Sequence, residues 1–148
     1  MMTIKSACAI FMFLPWTGMF AQGHIDVIKN QEYLKIKVDC TREPEDNLTA
    51  RICANLNFQR GDSLLTIVYD ELLLKLKERS DDTLAQKVVD LQTVWRSFRD
   101  QHCAIIYDTY TGCGACHVQA IAYLQCLTEL TENRTRELRN LREQIVGE

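Results

Sequence analysis

The sequence predicts an all-α fold, a disulfide-stapled up-down-up bundle of three helices preceded by an irregular N-terminal segment. Two observations carry this: three long stretches in which apolar residues recur every three or four positions, and short connections between them, which make successive helices antiparallel neighbours. A third is the set of cysteines, which is even once an apolar leader is set aside. The chain has 148 residues, 47% hydrophobic and 25% charged, enough to bury one core and unlike a disordered or collagen-like chain. Its 17 Lys and Arg against 20 Asp and Glu give a formal charge of −3, with no dense basic run, so nucleic acid is not an expected partner.

Residues 1–21 read as a secretory signal. Lys5 is followed by an apolar run from Ala7 to Leu14 and then by Pro15, Gly18 and Ala21, the order of a charged, a hydrophobic and a cleavage region, with cleavage expected near Ala21. The apolar run is too short to span a bilayer, which takes about 20 helical residues. The mature protein is therefore expected to be secreted or periplasmic. Removal of this leader takes one lysine and no acid, leaving 16 basic and 20 acidic residues, a net charge of −4. It also takes Cys8, leaving Cys40, Cys53, Cys103, Cys113, Cys116 and Cys126, an even set that predicts three disulfides of open connectivity in an oxidising compartment.

Residues 22–44 hold no helical period; Leu34, Ile36 and Val38 alternate with lysines as a short extended piece without a strand to pair with. A helical domain is expected over residues 45–148. Its first helix begins after Pro44, with Asp46 or Asn47 as N-cap, and carries Ile52, Leu56, Leu65, Tyr69, Leu72 and Leu76 on one face; Gly61 interrupts it at a cost of only about 1 kcal/mol. Ser80, Asp81 and Asp82 form a turn and supply capping oxygens. The second helix carries the cleanest apolar stripe, Leu84, Val88, Leu91, Trp95 and Phe98, and a loop runs from Cys103 to Cys116. The third helix carries Ala120, Leu124, Leu127, Thr131, Arg134, Leu138, Leu141 and Ile145.

Two charges fall on these seams. Asp62 lies on that of the first helix and Arg134 on that of the third, so a buried Asp62 to Arg134 ion pair is expected, with Tyr69 nearby and Trp95, Phe98 and Tyr69 in the core. Its role would be to fix helix register. Cys53, Cys103 and Cys126 fall at one level of the bundle, where disulfides would staple the helices together.

Cys53, then Asp62-x-x-Leu65-Thr66-x-x-Tyr69, then Leu91-x-x-x-Trp95-x-x-Phe98-Arg99-Asp100-x-x-Cys103, then Cys126-Leu127-x-x-Leu130-Thr131-x-x-Arg134-x-x-x-Leu138 resemble the LprI-like lysozyme-inhibitor family, from about Cys40 to Leu141. The block from Trp95 to Cys103 is the most specific part. The sequence departs from the family at Thr66, where Asn is usual, and in the loop before the third helix, where Cys113-Gly114-Ala115-Cys116-His117 replaces a glycine-containing turn. The resemblance implies a small exported helical domain with a protein partner, lysozyme in some members, and no enzymatic activity. It carries no established contact residues onto this chain.

That loop also matches the attachment signature of c-type haem, with Cys113 and Cys116 as thiols and His117 as iron ligand. All four methionines lie in the leader, which leaves His24 or His102 as the sixth ligand. A structural disulfide, within the loop or from it to Cys40, is the preferred reading, and no cofactor is expected. A redox pair would need a βαβ setting, which is lacking. Neighbouring His102 and Cys103 point about 100 degrees apart on a helix, too divergent for a catalytic pair.

Overall fold

The computed structural model describes residues 36–110 and 116–146, and among them forms three α-helices and no strand. They are α1 (Asn47–Glu78), α2 (Asp82–Asp108) and α3 (His117–Val146). The leader and most of the irregular segment lie outside the described residues; residues 36–46 carry no regular structure.

The helix ends are set by side chains read in the sequence. Asp46 caps α1, its carboxylate accepting from the Thr49 backbone N–H at 2.8 Å and from the Thr49 hydroxyl at 3.0 Å, bonds that hold the carboxyl below its ordinary range. At the other end Ser80 takes the left-handed conformation, φ 56°, so that its own N–H reaches Lys77 O at 2.9 Å and the Asp81 N–H reaches Leu76 O at 3.1 Å. This pair of bonds satisfies the last carbonyls of α1. Asp81 then caps α2, its side chain accepting from the Leu84 N–H at 3.0 Å. α2 runs on past Cys103, where the sequence placed a loop, through the apolar pair Ile105 and Ile106, and closes on Thr109.

α1 and α3 run parallel and make the most extensive helix–helix interface. Gly61 sits against Thr131, whose Cγ2 would lie 3.8 Å from an added Cβ, and at the far end Arg79, the C-cap of α1, donates to the Ile145 carbonyl near the end of α3. α2 lies antiparallel to both, with Cys103 opposite Cys126 and Tyr107 opposite Tyr123. The core divides into two clusters. Phe58, Cys103, Tyr123, Leu124 and Leu127 fill one half, and Leu65, Val68, Leu72, Leu76, Val88 and Leu138 the other.

Two disulfides are defined, Cys40–Cys53 and Cys103–Cys126, and Cys116 is also disulfide-bonded. Cys53 takes Cys40, so the covalent staple between helices defined among the described residues joins α2 to α3. Cys40–Cys53 instead pins the segment before α1 to the first turns of that helix.

Candidate functional site

The centre of the molecule is a polar layer between the two apolar clusters, organised by Arg99. Its guanidinium is buried on the inner face of α2 and reaches all three helices. Nη1 donates to Asp62 Oδ1 of α1 at 2.8 Å and to the Thr131 hydroxyl of α3 at 3.2 Å, while Nε donates to Asp100 Oδ1 at 2.9 Å. Its plane also lies over the rings of Phe58 and Trp95, 5.4 and 5.2 Å from their centroids. A buried cation needs a partner, and this one has two carboxylates, a hydroxyl and two aromatic faces.

The expected Asp62 to Arg134 pair is therefore corrected: Asp62 is held by Arg99. Arg134 lies on the seam of α3, but its Nε donates to Gln92 at 3.0 Å, its Nη1 to Glu137 at 2.9 Å, and its guanidinium also lies over the Trp95 ring, 5.8 Å from the centroid. The physical reason is height: Arg99 meets α1 at the level of Asp62, whereas Arg134 sits a turn further along, beside Gln92. Trp95 is thus half-buried with both arginines against its ring, and Tyr69 packs at the edge of the aliphatic cluster.

The outer face of α2 departs furthest from the sequence expectation. Leu91 is 61% exposed, Val94 67%, Phe98 53% and Ile105 64%, while Gln92 is 3% and Arg99 7% exposed. Phe98 is corrected from core to surface. α2 buries Val88, Gln92, Arg99 and Cys103, keeps Leu84 and Trp95 half-buried against the aliphatic cluster, and turns Leu91 and Phe98 of its apolar stripe to solvent together with Val94 and Ile105. Cys103 sets this phase, because its sulfur must face α3 to reach Cys126, and Arg99 lies one turn before it on the same side. The importance of Arg99 was thus readable from its spacing to Cys103. On the exposed line the His102 ring stacks on Phe98, 5.4 Å between centroids.

A second surface feature is a groove of about 570 Å³ between α1 and α3, lined among others by Arg60, Leu64, Glu132, Arg136 and Arg139. Around the disulfide, Tyr107 and Tyr123 meet edge to face at 5.8 Å, and burial, reinforced by the Asp100 charge, pushes the Tyr123 hydroxyl up to about 12. Of the haem signature, Cys113 lies outside the described residues; the Cys116 sulfur is in a disulfide, which removes it from thioether chemistry, and His117 opens α3. Cys103 is oxidised as well, so the His102–Cys103 neighbourhood holds no thiol nucleophile. Among the described residues no group of His, Cys, Asp and Glu is arranged to hold a metal ion, and no helix is long and apolar enough to cross a membrane.

The family model for lysozyme inhibitor LprI matches residues 40–138, which span the first disulfide, the Arg99 layer and most of α3. The chain belongs to the LprI lysozyme inhibitor family. No curated protein and no solved structure matches it. Within the LprI match fall Asp62, Trp95, Arg99, Thr131 and both defined disulfides. The family is described by lysozyme inhibition, which implies a protein partner.

Proposed function

We propose that this protein is exported and acts as a binding module that inhibits lysozyme, or a related cell-wall hydrolase, by occluding its substrate cleft. The match to the lysozyme inhibitor LprI family over residues 40–138 carries the reading. The structure supplies what such an inhibitor needs: a rigid helical body with cross-linked helices, whose surface does not have to reorganise to bind. Loss of the leader would leave a net charge of −4, which steers the protein toward the many lysozymes that are basic. Inhibition would then be steric, with no chemistry performed by the inhibitor.

The test is a peptidoglycan lysis assay with a basic lysozyme and the exported protein in molar excess. A fall in lysis rate that saturates with inhibitor supports the proposal, and an unchanged rate removes it. Mass spectrometry of the exported protein is expected to find Gln22 at its N-terminus and every cysteine oxidised.

A further inference from the structure

We infer that the outer face of α2, built on Leu91, Val94, Phe98 and Ile105, is the surface through which this chain docks on a cationic protein. The inference rests on the proposed inhibitory function and adds to it the face that makes contact. The four side chains advance by three, four and seven residues, so they form one stripe about 21 Å long on a side of the helix that no other described helix covers. All four are more than half exposed. The largest contiguous apolar patch on a monomer is often functional. The same helix turns Gln92 and Arg99 inward, although its leucine, valine and phenylalanine would bury more favourably. The apolar residues stay outside because the Arg99 layer and the Cys103–Cys126 bond fix the rotation of α2.

Charge decides what kind of partner fits. Asp90 and Asp108 flank the stripe and Lys87 continues its line, while Asp100 is paired with the buried Arg99 and Asp82 and Arg96 lie on other sides of the helix. The groove between α1 and α3 has the opposite sign, with Arg60, Arg136 and Arg139 against Glu132. A basic protein approaching this molecule is therefore drawn to the α2 side and repelled from the α1–α3 side. An apolar stripe flanked by Asp90 and Asp108 is the complement of an apolar-lined cleft in a cationic enzyme. Phe98, braced by the His102 ring, is the aromatic anchor at its middle.

The full exported chain is examined with a basic lysozyme in two measurements. In hydroxyl-radical footprinting, Leu91, Val94, Phe98 and Ile105 are expected to be labelled in the free protein and protected in the mixture. In titration, the Val94→Lys/Phe98→Lys double variant is expected to lose at least about 30-fold in affinity. Its melting temperature should remain unchanged, because both positions are exposed. Leu64→Lys in the α1–α3 groove should bind as the parent does. Affinity should also fall with added salt. If the parent inhibits and the double variant inhibits equally well, this face is wrong while the inhibitory function stands. A parent that neither binds nor inhibits overturns both. Protection of the four residues in the free protein also overturns the inference. Concentration-dependent protection would assign the stripe to a second copy, and concentration-independent protection to the chain's own remaining residues.

Discussion

α3 and α2 are similar in length and pack against each other along most of their course, yet they spend their apolar residues in opposite ways. α3 buries Ala120, Leu124, Leu127, Thr131 and Leu138 on the line that its sequence period marks out. α2 has an equally regular apolar line but splits it, burying Val88, half-burying Leu84 and Trp95 and exposing Leu91 and Phe98, and it buries a glutamine, an arginine and a cysteine besides. Hydrophobic period therefore reports where a helix has an apolar face, and only a specific bond reports which face points inward. In α3 the two agree. In α2 the disulfide and the guanidinium layer prevail over the apolar line.

The sharpest way to break this contrast is a matched pair of truncations. Leu127→Ala, in a fully buried position of α3, is expected to destabilise by about 3 kcal/mol, whereas Phe98→Ala on α2 should cost less than about 0.5 kcal/mol. Chemical denaturation decides it, and comparable losses at the two sites would put Phe98 back in the core. Next in size is the cross-link: replacing both Cys103 and Cys126 by Ala should cost on the order of 3 kcal/mol, from a loop closed over 23 residues. Arg99→Ala should follow at about 2 kcal/mol, less than for a fully enclosed pair because Asp62 keeps 41% of its side chain in water. Arg134→Ala, whose partner Glu137 is largely exposed, should cost about 1 kcal/mol. An Arg134 loss exceeding that of Arg99 would return the register role to Arg134.

Tyr123 gives the contrast a pH signature. Its hydroxyl is held near 12 in the folded protein, so the folded state keeps a proton that the unfolded chain releases near 10. Stability is then fully present below pH 10 and declines as pH rises from 10 toward 12. Ultraviolet titration should show one tyrosine ionising late, together with unfolding. The smallest effect belongs to the turn between α1 and α2, where Ser80→Gly should stabilise by about 0.5 to 1 kcal/mol by relieving a left-handed serine. A thermal melt that shifts downward would show that the serine side chain has a role of its own.

Much of the fold was legible in the sequence for local reasons. Asp46 and Asp81 announce helix starts through capping oxygens, and the seams of α1 and α3 follow from leucine spacing around Leu65, Leu72, Leu124 and Leu127. Asp62 was legible as a seam charge, but its partner was not. Pairing depends on the relative height of two helices, which no period within one helix encodes. Arg99 was passed over because it falls off the apolar stripe, although its one-turn spacing to Cys103 marks the same side. The extension of α2 to Asp108 was missed because glycines at 112 and 114 drew the loop boundary too early.

The Cys103–Cys126 bond also changes what a protease would do to this molecule. A cut in the connection between Thr109 and Cys116 would sever the main chain without releasing either piece, because the bond lies on both sides of the break. The nicked protein would keep its mass and, with α2 and α3 still tied at the same height, its packed helices, until a reductant separated the fragments. Until that bond is reduced, a break in this connection leaves the fragments joined.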